Sequence, residues 1–290
     1  MRRMTAAIGA AVAMACAPTA GALPWGAERG GNADGSIAAW SGPQGVTTYR
    51  GDRIVDPFSG DRPILMIDRS NFQRYRENLS AGQIAMLLRY PTYRIPVYPT
   101  RRIFDLPSWA KAAVEGEVGG ISLVGDSGLQ GLDQTTVPFP SPNNGLEAIW
   151  NHITRFRGAT VRRNAYTVPV RANGAQVVGR NEELISFRRG LEDTSTNENV
   201  LVKYLNVARE PARFQGTIVL VHEYIDQVKN PRDAWIYNSG ARRVLRVPTL
   251  AYDSPLEFSD AGATTDDFDM YNGAPDKYNW KLLGKREMFI

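Results

Sequence analysis

The sequence predicts an α+β fold, a curved antiparallel β-sheet packed with a few helices, and three observations carry that prediction. Leu146, Ile149, Trp150, Ile153 and Phe156 recur at helical spacing ahead of Gly158. Beyond Gly158 the apolar period falls to two. The period-two runs are then joined by Asn173-Gly174, Pro211 and Ser239-Gly240, turns too short for a crossover.

The elements follow in order. Arg2 and Arg3, the apolar stretch Ala6 to Ala17 and the small-x-small pattern Ala20-Gly21-Ala22 read as a secretory signal peptide over 1–22, cleaved after Ala22. Residues 23–142 form an N-terminal segment with short helices. Its part 23–63, rich in Gly, Pro, Asn and Asp, reads as irregular. Leu79 to Tyr90 is a helix: Ser80 caps it, Ile84, Leu87 and Leu88 make its apolar stripe, and Pro91 ends it. Ser108 caps a second, Trp109 to Val114, and 115–142 returns to Gly and Pro.

Residues 143–290 hold the clearest helix and the meander, in the same domain. Asn143 or Asn144 caps that helix, Gly158 ends it in the left-handed conformation, and Arg155 and Arg157 suit its C-terminal dipole. Strand pairs are expected at Val161 to Arg171 with Ala175 to Arg188, Val200 to Arg209 with Gly216 to Asp226, and Ala234 to Asn238 with Arg242 to Leu250. A last pair is expected at Tyr278 to Leu283 with Lys285 to Ile290, around Gly284. The sequence has no internal repeat of fixed period, which removes solenoids and propellers.

Composition narrows the function classes. In 290 residues, 22% are charged and 43% hydrophobic, enough for a core. The net charge is +4, and losing Arg2 and Arg3 leaves 32 basic residues against 30 acidic, or +2. With no long Lys/Arg cluster, nucleic acid is not an expected partner. Cys16 is the single cysteine, after a poor lipoprotein-type site, Ala13-Met14-Ala15. Cleavage after Ala22 removes it, and with it disulfides, zinc-cysteine sites and thiol nucleophiles.

Several fragments imitate catalytic motifs. Gly125-Asp126-Ser127-Gly128 resembles a serine-protease nucleophile motif, but both histidines, His152 and His222, follow it in the chain. A triad needs its base and orienting acid, so a Gly/Ser-rich loop is the better reading. His222-Glu223 begins like a zinc-protease motif, yet Asp226 stands where the second histidine belongs. Asp266, Asp267 and Asp269 lack the spacing of a calcium loop and read as a solvated turn. Lys277, Lys281, Lys285 and Arg286, interleaved with Tyr278 and Trp280, read as a strand with one wet face. No phosphate loop or dinucleotide fingerprint occurs. Neither a catalytic site nor a cofactor nor a metal is expected.

Four stretches carry a family resemblance. They are Gly31-Asn32-Ala33-Asp34-Gly35-Ser36-Ile37 with Trp40; Arg94-Ile95-Pro96-Val97-Tyr98-Pro99-Thr100; Pro138-Phe139-Pro140 with Asn144 to His152; and Gly273 to Met288. Together they resemble the domain-of-unknown-function family 1329. The resemblance implies a secreted protein of Gram-negative bacteria, similar to outer-membrane lipoprotein-sorting proteins of the LolA/LolB type. Those have a curved antiparallel sheet, an incomplete barrel closed by helices, that holds an acyl chain. The resemblance also implies company with large export pumps, and it supplies no catalytic residues. Family members run well past Glu287 to Ile290, so the sheet is expected to be unfinished at Ile290.

The middle strands sharpen the expected site. Val219, Val221 and Ile225 oppose Ile218, Leu220 and Tyr224 across one strand. Val200, Val202 and Tyr204 oppose Leu201, Leu205 and Val207 across the other. Both faces are thus largely apolar and are expected to be covered, one by helices such as Leu146 to Phe156 and the other either by a bound ligand or by the N-terminal segment or the missing C-terminal part. Val202, Tyr204, Val219 and Val221 are the expected walls of an apolar ligand groove, with Trp235 and Tyr237 at its mouth. The function expected is a periplasmic, outer-membrane-associated carrier of a lipid, lipoprotein acyl chain or other apolar ligand. Its expected partners are that ligand and a membrane export pump or outer-membrane protein, with peripheral membrane contact. An accessory scaffold without ligand is the alternative.

Overall fold

The computed structural model describes residues 45–49, 52–56, 59–98, 106–125, 127–188, 199–227, 230–247, 253–256 and 259–289. The expected signal peptide, Cys16 and the first family stretch lie outside the described residues.

In chain order the strands are β1 (Gly45–Tyr49), β2 (Asp52–Asp56), β3 (Leu65–Ile67), β4 (Ile95–Val97), β5 (Ser122–Val124), β6 (Gly128–Gln130), β7 (Thr160–Thr167), β8 (Gly179–Phe187), β9 (Val200–Glu210), β10 (Ile218–Tyr224), β11 (Asp233–Asn238) and β12 (Arg243–Arg246). The helices are α1 (Ala81–Arg89), α2 (Ser108–Glu117) and α3 (Gly145–Thr154). Strands β7 to β12 form one six-stranded sheet in sequence order, every pair antiparallel, with β7 and β12 at its edges. This is the α+β meander the sequence predicts. The Asn173-Gly174 turn closes as a hairpin, with Gly174 at φ +80°, a backbone conformation that glycine adopts without strain.

Helix α3 is held at its start by Asn144, whose side-chain oxygen accepts from Glu147 N at 2.9 Å. Its Trp150 and Ile153 bury against Ile185, Phe187, Leu201, Val202 and Ile225 of the sheet and against Ile121 and Leu129 of the β5–β6 hairpin. This is the main core. A second core gathers Ile67, Phe72, Leu79 and Leu87 around the β3–β4 pair, a 3₁₀ turn at Phe72–Asn78 and α1. Ser80 caps α1 in a full capping box with Gln83.

Four expectations need correction. The stretch 23–63 is not irregular throughout, because β1 and β2 pair within it. The stretch 115–142 holds the β5–β6 hairpin. The last expected strand pair does not form: residues 278–289 contain no strand, and the backbone groups of Glu287 and Phe289 bond to the 78–83 region instead. Phe289 N donates to Asn78 O at 2.9 Å, Gln83 Nε2 donates to Phe289 O at 3.0 Å, and Asn78 Nδ2 donates to Glu287 O at 3.2 Å. Finally, the described residues do not cover both faces of the sheet. β10 alternates buried and half-buried residues, and on β8 Leu184 is 43% exposed between the buried Glu183 and Ile185. One face lies on the core, and the other is open among the described residues.

Candidate functional site

The covered face of the sheet carries an unusual set of side chains. Cross-strand register places Arg163, Glu183, Asn206 and Val219 in one row, with Val161, Ile185, Tyr204 and Val221 in the next. Phe187, Val202 and Glu223 make a further row on one side, and Ala165 with Asn181 a row on the other. An apolar band thus runs between two polar ends on a face that would ordinarily be apolar throughout.

These rows line a cavity of about 260 Å³, closed over by Leu256, Thr265, Phe268 and Asn272 from beyond β12. Phe268 stands edge-on to Tyr204 with centroids 5.8 Å apart, and the Arg163 guanidinium lies 5.6 Å from the Phe268 ring centre. Arg155 and Arg157 both pair with Asp269, Arg155 at 2.8 Å, and Arg171 pairs with Asp260 at 3.3 Å. The cover is therefore fastened by cations of α3's C-terminal end and of the β7–β8 hairpin. The acidic stretch is a turn with Asp267 and Asp269 exposed, as expected, and the same turn forms part of this cover. Asp266 is buried in it, accepting from Thr264 Oγ1 at 2.5 Å and from Tyr278 OH. Burial pushes the Asp266 carboxyl upward, but the Thr264 and Tyr278 hydrogen bonds outweigh it and hold the carboxyl below its ordinary value. The same hydrogen bond pushes the Tyr278 hydroxyl up to about 12.

The polar ends are partly satisfied. At one, Glu183 pairs with Arg163 and accepts from Tyr204 OH at 2.9 Å. Burial, then the nearby Glu183 carboxylate, raises the Tyr204 pKa well above its usual value, so this hydroxyl stays a donor. Asn181 and Asn206 adjoin Glu183, only 4% and 6% exposed, and the Oδ1 of each has no hydrogen-bond partner among the described residues. A buried oxygen left so costs about 1–3 kcal/mol. At the other end Glu223 and Arg232 form an ion pair at 2.5 Å with side chains 4% and 7% exposed. Arg157 lies with its guanidinium 4.2 Å from the Phe187 ring centre, and burial lowers its pKa.

The groove residues read from the sequence divide in two. Val202, Tyr204, Val219 and Val221 all line the cavity. Trp235 and Tyr237 do not: they pair in register with Leu220 and Ile218, which puts them on the open face. There Trp235 meets His222, with ring centres 5.2 Å apart. The sequence reading passed over Asn181, Glu183, Asn206 and Glu223. The signal was present in β8, where Asn181 and Glu183 fall in phase with Ile185 and Phe187, two polar groups on a face that two large apolar residues commit to the interior.

The motif-like fragments take structural roles. Gly125, at φ +58°, turns the β5–β6 hairpin, and a Cβ on Gly128 would stand 2.7 Å from Val124 O. Ser127 supplies its carbonyl to Trp150 Nε1 at 3.2 Å. His222 and Glu223 point to opposite faces of β10. Among the described residues no His, Cys, Asp and Glu group of three is placed to hold a metal, and no helix is long and apolar enough to cross a membrane.

The third and fourth of the stretches quoted for the family resemblance meet in space. Asn151 clamps Phe139, accepting from its N at 2.9 Å and donating to its O at 2.6 Å. Gly145 at the start of α3 touches the Trp280–Lys281 backbone. Tyr271, Tyr278 and Trp280 interlock, with centroids 4.8–5.9 Å apart. The family model described as "Protein of unknown function (DUF1329)" matches residues 66–290. The chain belongs to this family. It is also 44% identical over 276 residues to an uncharacterized protein of Pseudomonas aeruginosa, an alignment covering 92% of this chain and 60% of that protein. The chain thus spans less than two thirds of its relative's length. No solved structure matches it.

Proposed function

We propose that this DUF1329 protein is a non-catalytic binding protein that carries an amphipathic or lipid-like ligand in the cavity on the covered face of its sheet. The observation that carries the reading is the cavity itself: about 260 Å³, apolar through Ile185, Val202, Val219, Val221 and Phe268, yet edged by buried Asn181 and Asn206 oxygens that lack partners. Ligand sites have this composition, a mainly apolar wall with a few placed polar groups. Each ligand methylene buried there contributes about 0.8 kcal/mol. Periplasmic location follows from the targeting segment read in residues 1–22, and outer-membrane association, peripheral membrane contact and an export pump as partner belong to the same proposal. So does the finer fold, a LolA/LolB-like incomplete barrel.

A scaffold role has one observation in its favour. The open face of the sheet presents Leu184, Leu205, Ile218, Leu220 and Trp235, a half-exposed apolar surface. Neighbouring residues on β10 separate the two readings, since Leu220 and Val221 face opposite ways. Val221→Asp abolishes binding of a fluorescent fatty-acid analogue, while Leu220→Asp leaves it within about twofold. Both variants are checked for folding by circular dichroism. Absence of binding to the unmodified chain, or equal loss from both folded variants, refutes the carrier reading.

A further inference from the structure

We infer that the cavity selects an amphiphile with an uncharged hydrogen-bonding head, a hydroxyl or carboxamide, seated between Asn181 and Asn206. The inference rests on the carrier reading and names the ligand class of the same site. Asn181 lies opposite Ala208 and Asn206 opposite Glu183, so the two carboxamides are diagonal neighbours on β8 and β9, lining the cavity side by side. Both are more than nine-tenths buried, and both carry an unpartnered oxygen. Buried polar atoms in native proteins are nearly always paired, with protein, water or ligand. The Asn206 side chain also hydrogen-bonds the Tyr204 hydroxyl, so what the two amides offer a ligand is their oxygens, and a head that donates through O–H or N–H answers them.

Charge decides against an ionic head. Glu183 stands between the two asparagines, and its carboxylate repels an anion arriving there. A cation fares no better, because Arg163 and the Tyr204 hydroxyl already engage Glu183. A second buried positive charge would enter uncompensated. The cavity's other cations sit at its far end, Arg157 on Asp269 and Arg232 on Glu223. The space sets the length: 260 Å³ corresponds to about nine water-sized volumes of ~30 Å³. An eight-carbon alcohol, with about nine non-hydrogen atoms, fills it on that scale.

The experiment is calorimetric titration of the full chain with 1-octanol, octanoate and octylammonium at neutral pH, repeated on Asn181→Leu and Asn206→Leu. Octanol is expected to bind, with both ionic probes at least about tenfold weaker, and each leucine to weaken octanol by about tenfold, the worth of one good hydrogen bond. The leucines replace an unpartnered polar group by an apolar one of similar size, so the melting temperature of the ligand-free chain holds or rises. Equal binding of all three probes overturns the head assignment and leaves the carrier reading standing. So does octanol binding unchanged in either folded leucine variant, and a fall in that variant's melting temperature then marks the asparagine as structural. Failure of every probe to bind, with the fatty-acid analogue also unbound, takes the carrier reading down as well.

Discussion

Adding one methyl group at Gly145 tests how the C-terminal segment is joined to the core. Gly145 is the first residue of α3, where alanine ordinarily improves a helix by up to about 1 kcal/mol over glycine. A Cβ there would stand 2.5 Å from both Lys281 N and Trp280 O, and nearer still to Trp280 C. These are backbone atoms, and they are not free to give. Trp280 Nε1 donates to Pro275 O at 2.8 Å, and its ring is wedged between Tyr271 and Tyr278. Overpacking of this kind costs about 1–3 kcal/mol, so the clash outweighs the helical gain. Gly145→Ala should therefore lose about 1–2 kcal/mol, seen as a fall of roughly 2–8 °C in melting temperature. Limited proteolysis should find residues 278–289 cleaved sooner than in the parent. A variant as stable as the parent, or more stable, refutes the close approach and with it the account of how Trp280 is seated.

Two further predictions concern charge. Glu223→Gln leaves the buried Arg232 cation without its anion and should cost about 3–5 kcal/mol by chemical denaturation; Glu182→Gln, on the open face with Arg162 and Arg209, should cost far less. Loss of similar size from both would show that the covered face is wet. Both histidines are held below their usual value of 6.5, His152 by burial and then Arg155, His222 by burial and then Lys203. The folded chain then binds fewer protons than the unfolded one, so this stability is full above about pH 6.5 and is lost as pH falls below it. The melting temperature should drop between about pH 7 and 5, and His152→Gln should flatten part of that slope. A profile flat in that range, or rising toward acid, refutes the assignment.

The meander was legible because period-two runs and tight turns are local signals. Asn173-Gly174 and Ser239-Gly240 each state where a strand reverses, and the antiparallel order follows. Helix α3 was legible from the spacing of Trp150 and Ile153 and from Asn144. The short hairpins were missed because Ser122–Val124 and Gly128–Gln130 are three residues each, too brief for a period to declare itself. The failed strands at 278–289 show the converse. Alternation of Tyr278, Trp280 and Leu282 mimics a strand, but Trp280 is seated among Tyr271, Tyr278 and Pro275, and at the far end of the expected pair Asn78 and Gln83 take the backbone groups of Glu287 and Phe289. In the cavity, the apolar walls Val202, Val219 and Val221 were readable one strand at a time. Its polar end was not, because Glu183 and Asn206 are 23 positions apart and meet only through register. Trp235 and Tyr237 were assigned to the wrong side for the same reason.

The link between Phe289 and the first helical turn sets a condition on the order of assembly. The Ile67, Phe72, Leu79 and Leu87 cluster is packed by Phe289, whose ring meets Tyr75 edge-on at 6.3 Å, and the hydrogen bonds that join Glu287 and Phe289 to this region reach across 206–211 residues (289 − 78 = 211 at the longest). The pieces made early in synthesis are thus completed by one of the pieces made late. Contacts of such long sequence separation must await closure of a very large loop, which slows folding and lengthens the life of partly exposed intermediates. A ribosome-bound chain halted before Phe289 emerges should hold the Leu79–Leu87 region open to protease while the β7–β12 sheet is already protected, so the two cores mature at different times on one growing polypeptide.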